Sequence, residues 1–113
     1  MPNADVKTME GQLELSQHNL EQTFEVNING RLVFSDNSQF RELVDRFRDH
    51  GGKDLVVDLS GLDFIDSAGL GMLLVAKEAA DKNKMAMTVR GARGQVKEMF
   101  DISRFDAVIS IQD

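Results

Sequence analysis

Apolar and polar residues alternate in the first third of the chain. Positions 24–28 read Phe-Glu-Val-Asn-Ile, a period of two that is typical of a strand with one face exposed. Positions 13–15 alternate in the same way and predict a shorter first strand, followed by a turn at 16–19. Gly30 interrupts the second strand near its end. We expect the two strands to pair antiparallel at one edge of a sheet.

A helical period follows this pair of strands. The apolar residues that carry it have the spacing i, i+3, i+4, i+7: Phe40, Leu43, Val44 and Phe47. Asp36, with Gln39 three residues later, resembles a capping box at the start of this helix. Gly51-Gly52 is a typical helix end.

Strands and helices alternate over the rest of the chain. The pattern predicts a buried strand at 55–59, a helix from Ser67 to about Lys82, a strand at 85–89, a helix around 96–100 and a last strand at 107–111. Such alternation favours right-handed crossovers onto a mainly parallel sheet. We therefore predict a single α/β domain over 11–113, with about five strands and three or more helices, preceded by a flexible tail over 1–10.

Composition narrows the range of partners. The chain has 113 residues, a net charge of −6 and no cysteine. An acidic surface disfavours nucleic acid and anionic membranes and favours a partner with a basic contact face. The absence of cysteine excludes a disulfide framework. We see no secretion signal and no membrane span in the sequence, so we expect a cytoplasmic protein.

The most distinctive segment joins the buried strand to the second helix. It reads Asp63-Phe-Ile-Asp-Ser-Ala-Gly-Leu-Gly71 and places Ser67 at the helix start. A serine there suits an N-cap, and a helix N-terminus also suits a phosphate. The N–H groups of Gly69 and Leu70 are the expected donors to such a phosphate. Asp66 either orients the Ser67 hydroxyl or accepts a hydrogen bond from the loop, and the alternative is that it is simply a turn residue.

The stretch 56–71, together with Gly30-Arg31-Leu32 and the order of the elements, resembles the STAS domain family, which includes bacterial anti-sigma factor antagonists. The resemblance implies that Ser67 is phosphorylated by a partner serine kinase that is itself the anti-sigma factor. It implies that the unphosphorylated form binds this kinase and that a 2C-type phosphatase reverses the modification. The protein needs no cofactor, because the kinase supplies ATP and magnesium.

The resemblance also implies a docking face around Ser67. Its expected members are Asp66, Ala68, Gly69, Leu70, Gly71, Ser35 and Asp36. Core packing is an equal alternative for Leu70, and packing inside the domain is an alternative for the two glycines. The chain departs from the family at Val33, where many antagonists carry aspartate, and at Ala68, which is often serine.

Phosphorylation of Ser67 is expected to leave the fold nearly unchanged. The helix dipole favours the added charge, whereas Asp63 and Asp66 oppose it. The effect therefore falls on the partner interface.

Other function classes have weak support in the sequence. A serine hydrolase would need a Gly-x-Ser-x-Gly elbow and a suitably placed histidine, and neither His18 nor His50 has such a context. Nucleotide-binding and metal-binding patterns are absent as well. We therefore predict that the protein is not an enzyme. The remaining alternative is a STAS scaffold that is never phosphorylated, as a subunit of a transporter or signalling complex, with Ser67 as a helix cap.

Overall fold

A computed structural model describes residues 7–9, 13–20 and 22–112. Seven strands and three α-helices lie in this part of the chain: β1 (Lys7–Met9), β2 (Leu13–Leu20), β3 (Thr23–Leu32), α1 (Asn37–His50), β4 (Asp54–Asp58), β5 (Leu62–Ile65), α2 (Ser67–Lys82), β6 (Ala86–Arg90), α3 (Gly94–Ser103) and β7 (Ser110–Gln112). Short 3-10 segments occupy Phe34–Asp36 and Phe105–Ala107.

The strands form one mixed sheet in the order β1-β2-β3-β4-β6-β7, and β5 pairs with β3 outside this path. The first three strands pair antiparallel. Strands β3, β4, β5, β6 and β7 are parallel to one another. The predicted α/β class, with a mainly parallel sheet and an antiparallel edge, is confirmed.

Gly30 divides β3 into two parts with different neighbours. Thr23–Asn27 pairs with β4, and the register shifts at Gly30 before the strand pairs with β5. Gly30 has a φ of 90°, a conformation that side chains rarely adopt. Because β3 and β5 end side by side, the chain segments leading into α1 and α2 leave the sheet at the same edge.

The core lies on one face of the sheet. Residues in register across β3, β4 and β6 form two buried rows there: Phe24, Leu55 and Met87, then Val26, Val57 and Val89. The helices cover these rows with apolar residues spaced at helical intervals, which include Phe40, Leu43, Val44 and Phe47 of α1. Met72, Met85 and Met87 are buried as well.

Three predictions of local structure were wrong. The predicted turn at 16–19 lies inside β2, because that strand pairs with β3 along eight residues, up to Leu20. Lys7–Met9, predicted as tail, pairs with β2 as β1, while residues 1–6 lie outside the described residues. The last strand begins at Ser110, because Phe105–Ala107 forms a 3-10 segment. In each case, pairing or local backbone geometry outweighed side-chain propensity.

The predicted capping box at α1 is also wrong. Asp36 is the N-cap residue, but its carboxylate accepts from the Val33 N–H, at 2.8 Å, and it caps no N–H of α1. Asp36 is buried, and the side chain of Gln39 is buried without a hydrogen bond to any described residue. The Asp36 carboxylate thus bonds the N–H group that precedes the 3-10 segment and not an N–H group of α1.

An ion cluster lies on the opposite face of the sheet. Arg90 of β6 donates to Asp58 of β4, at 3.0 Å, and to Glu25 of β3. Burial acts to raise the pKa of Asp58, but hydrogen bonds from the Ser60 hydroxyl and N–H, with Arg90, outweigh it and lower this pKa. The hydrogen bond to Asp58 raises the pKa of Arg90. The cluster therefore joins three neighbouring strands.

We expect Asp58 to make the stability of the fold pH-dependent. A lowered pKa means that ionised Asp58 stabilises the folded chain above its unfolded pKa, and that this stabilisation is lost as pH falls through the folded pKa. The free energy of unfolding should fall below about pH 4, and fall less steeply in Asp58→Asn. Urea unfolding from pH 7 to pH 2 measures this, with the exposed Asp101→Asn as control. Equal slopes for wild type and Asp58→Asn would contradict the assignment.

Candidate functional site

The start of α2 is fixed by Asp66. Asp66 is the N-cap residue, and its Oδ1 accepts the N–H of Gly69 at 2.8 Å. Its Oδ2 accepts the N–H of Phe34, in the segment that leads into α1, at 3.3 Å. The hypothesis that Ser67 caps this helix is therefore wrong, because the preceding aspartate caps it.

Ser67 is exposed at the first position of α2. No hydrogen bond joins its hydroxyl to any described residue. The N–H groups expected to receive a phosphate are already bonded, that of Gly69 to the Asp66 carboxylate and that of Leu70 to the Asp66 carbonyl at 3.1 Å. The prediction that these two N–H groups serve as phosphate donors is therefore corrected. The Ser67 hydroxyl is therefore available for reaction, and the N–H groups of Gly69 and Leu70 are not available to a phosphate on it.

A groove runs between α1 and α2 beside Ser67. Its volume is about 340 Å³. Its lining is mostly apolar and consists of Phe34, Asn37, Phe40, Arg41, Val44, Ala68, Gly71, Met72 and Val75. Phe34 is 71% exposed and Val75 is 49% exposed. Apolar side chains left in solvent at a groove of this kind are typical of a surface that binds another protein.

The two glycines at the start of α2 have different environments. A Cβ added at Gly69 would lie 2.4 Å from the carbonyl oxygen of Leu32 and 2.6 Å from Ile65 Cγ1. A Cβ added at Gly71 would meet no heavy atom within 4 Å. Gly69 therefore allows the helix to pack closely on β3 and β5, whereas Gly71 leaves space in the groove.

The structure divides the predicted docking residues into three groups. Ala68 and Gly71 line the groove, and Ser35 is exposed near its end, so these three are available to a partner. Asp36, Gly69 and Leu70 are buried, which corrects the expectation that they contact a partner directly. Asp66 is half-buried, and its carboxylate is bonded within the chain.

Of the nine residues that line the groove, sequence reasoning predicted only Ala68 and Gly71 as docking residues; the seven it missed include Phe34, Arg41 and Val75. Val75 carried a usable signal, because it lies eight residues after Ser67 and hence on the same side of the helix. Phe34 and Arg41 belong to another element, and their place in the groove depends on how α1 packs against α2.

The described residues contain no group of histidine or carboxylate side chains that could hold a metal ion. Asp58 bonds Arg90, and Asp63 bonds Arg93 at 3.3 Å. His50 packs edge-on against Phe24 at the far end of α1, away from the edge where α2 begins. Arg93 also donates to the Ser60 carbonyl at 2.7 Å, so the segment 90–94 holds its two arginines in internal contacts.

None of the described helices has the length and apolar character needed to cross a membrane.

The sheet order, the paired starts of α1 and α2 and the serine at the second of these starts define a small α/β domain of the STAS type. A family model described as "Mlab, STAS domain" matches residues 15–111. The chain belongs to the STAS domain family.

Relatives within this family carry regulatory names. An anti-sigma-B factor antagonist of Staphylococcus aureus is 22% identical over 90 residues, which cover 80% of this chain and 83% of the relative. The structure of an anti-sigma factor antagonist from Mycobacterium paratuberculosis superposes with a TM-score of 0.79 at 18% identity, covering 94% of this chain and 90% of the other.

Two further solved structures share the fold. The Bacillus cell fate determinant SpoIIAA, in its phosphorylated form, has a TM-score of 0.63 at 14% identity and covers 96% of this chain and 90% of its own. A sulfate transporter family protein from Wolinella succinogenes has a TM-score of 0.70 at 16% identity, with 83% of this chain and 79% of its own covered. At these identities the superpositions establish a common fold.

We expect opposite effects when each of the two helix glycines is replaced by alanine. Gly69→Ala places a methyl group against the Leu32 carbonyl and should destabilise the chain by about 1–3 kcal/mol. Gly71→Ala meets open space and should stabilise the chain by about 0.5–1 kcal/mol through helix propensity. Urea unfolding of the pair measures both effects. Equal changes in the free energy of unfolding of the two variants would contradict the difference in packing between Gly69 and Gly71.

Asp66→Ala should destabilise the chain by about 1–2 kcal/mol, because two backbone N–H groups lose their acceptor. Asp66→Asn keeps one side-chain oxygen and should lose less. Hydrogen exchange at the Gly69 and Phe34 amides should accelerate in Asp66→Ala. Asp63→Ala is the control, since its exposed pair with Arg93 contributes little. A loss in Asp66→Ala no larger than in this control would contradict the capping role.

Proposed function

We propose that the chain is a phosphorylation-controlled protein-binding switch of the anti-sigma factor antagonist type, with Ser67 as the phosphoacceptor. One observation carries the proposal. Ser67 is exposed at the end of an apolar groove, and its hydroxyl has no structural task because Asp66 caps the helix. The names of the relatives support the same role.

The proposed partner is a serine kinase with anti-sigma activity. It docks on the groove and transfers the γ-phosphoryl group of ATP to Ser67 Oγ, which loses its proton as ADP leaves. A 2C-type phosphatase hydrolyses the phosphate ester and restores the hydroxyl. The chain itself contributes no cofactor and no catalytic group, and it acts in the cytoplasm without binding nucleic acid or membrane. A phosphorylated form is known for the structural neighbour SpoIIAA.

The groove gives a physical reason for release of the partner. Its lining is mostly apolar, so a docked partner excludes water from the groove. Ser67, Gly71 and Val75 follow one another at intervals of four residues, which places Ser67 in line with the groove wall. A phosphate adds about 1.5 to 2 negative charges at that position. A charge without a partner at an interface costs several kcal/mol, which is enough to abolish binding without refolding.

A second candidate is a constitutive scaffold in a transporter or signalling complex. The transporter-family structure with this fold favours it. In that case the same groove binds a permanent partner, and Ser67 remains unmodified.

Mass spectrometry of the protein isolated from its host, with phosphatase inhibitors present, tests the modification. We expect one phosphate, mapped to Ser67, that is absent from Ser67→Ala and retained in the control Ser110→Ala, where an exposed serine of β7 is removed. In capture experiments, Ser67→Ala should retain a serine kinase, and Ser67→Asp should bind it at least about tenfold more weakly, equivalent to about 1.4 kcal/mol.

Two results together would overturn the switch in favour of the scaffold. One is the absence of phosphate at Ser67 under several growth conditions. The other is capture of the same partner, at equal yield, by wild type and Ser67→Asp.

A further inference from the structure

Arg41 is the one charged residue that lines the groove. It is exposed on α1, and it forms no ion pair, hydrogen bond or ring contact with any described residue. Several other arginines have partners: Arg48 pairs with Asp45, and Arg31 lies over the ring of Phe64. An unpaired guanidinium in an acidic chain, at the wall of the proposed docking groove, needs an explanation.

The topology places Arg41 on one wall of the groove and the first turn of α2, which begins at Ser67, at the other wall. α1 follows β3 and α2 follows β5, and these two strands are parallel neighbours, so both helices start at one edge of the sheet. Asn37 and Arg41 line the groove from the first turns of α1, while Ala68 and Gly71 line it from the first turns of α2. Because Gly71 has no side chain and open space beside it, no bulky group of that residue separates the two walls.

Two backbone donors at the start of α2 are not available to a phosphate on Ser67. The N–H groups of Gly69 and Leu70 are bonded to Asp66. The carboxylate of Asp66 lies directly beside Ser67 in sequence and repels an added anion. On the α1 side, the carboxylate of Asp36 is buried and bonded to Val33. Arg41 is a charged side chain in the lining of the groove beside Ser67, and guanidinium binds phosphate oxygens in a bidentate manner.

We propose that Arg41 receives the Ser67 phosphoryl group and that the resulting pair spans the groove. The phosphate then acts in two ways: it adds charge, and it draws a side chain of the groove wall across the surface on which the partner docks. The regulatory meaning rests on the proposed function. The pairing itself is a property of the phosphorylated chain and needs no kinase to be observed.

The experiment uses the full chain with phosphoserine genetically encoded at position 67. A ³¹P NMR titration gives the second pKa of the phosphate in four backgrounds: wild type, Arg41→Gln, Arg41→Lys and the control Lys97→Gln. Lys97 is an exposed cation of α3 that does not line the groove, so this control removes the same charge elsewhere. A nearby cation favours the dianion and lowers its pKa.

We expect the second pKa of the phosphate to rise by about half a unit or more in Arg41→Gln relative to wild type, and to stay unchanged in Lys97→Gln. Arg41→Lys should give an intermediate value, because a lysine lacks the bidentate geometry. The Arg41 Nε–H signal should also shift when Ser67 carries the phosphate. If the second pKa of the phosphate rose equally in Arg41→Gln and Lys97→Gln, the effect would be explained by net charge alone, and the proposed pair would be wrong. An unchanged value in Arg41→Gln would also overturn it.

The failure of this inference differs from failure of the proposed function. If the host never phosphorylates Ser67 but the titration shows the Arg41 effect, the pair stands and the switch falls. If the host phosphorylates Ser67 and the titration is flat, the switch stands without the pair. Thermal unfolding of the unphosphorylated variants confirms that each is folded before it is titrated.

Discussion

The two hydrogen bonds accepted by the Asp66 carboxylate hold the candidate site together. One oxygen fixes the first turn of α2 through Gly69, and the other fixes Phe34, which comes from a segment 32 residues earlier. The end of β3 and the start of α2 are thereby joined at one point. If these two parts of the chain separated, the Phe34 N–H would lose the Asp66 carboxylate as its acceptor.

This junction depends on two glycines, one for its backbone conformation in β3 and the other for the close approach of α2 to that strand. Gly30, at positive φ, pairs with β5 after the part of β3 that pairs with β4 has ended, and the register with β5 shifts directly after it. Gly69 then allows α2 to approach the Leu32 carbonyl at the end of β3. The close approach brings the Asp66 carboxylate within reach of the Phe34 N–H. The backbone geometry of the sheet therefore sets the geometry of the surface.

Much of the fold could be predicted from the sequence, because its strongest signals are local. The apolar spacing in α1 and the buried run of β4 identified their elements directly. The helix cap was assigned to Ser67 because serine and aspartate are equally good caps, and the choice of Asp66 depends on a distant N–H group that no local pattern reveals.

The groove was beyond sequence reasoning for a related reason. Arg41 and Phe34 read as an ordinary exposed cation and a loop aromatic until the packing of α1 against α2 places them together. The same holds for the two glycines of α2. Gly69 and Gly71 look alike in the sequence. Only their surroundings in the structure show that Gly69 packs against the Leu32 carbonyl and that Gly71 leaves space in the groove.

The two proposed effects of phosphorylation differ in strength and in what they depend on. An exposed ion pair such as one between Arg41 and a phosphate contributes at most about 1 kcal/mol, because water and salt screen it. The pair therefore favours, but does not fix, a position of the Arg41 side chain across the groove. Desolvation of the dianion under a docked partner costs several kcal/mol and acts only when the partner is present. Because Arg41 neutralises part of the charge that a docked partner would desolvate, the two effects are coupled and their free energies do not simply add. The ion pair affects how easily a partner enters the groove, and the desolvation of the dianion determines whether that partner stays bound.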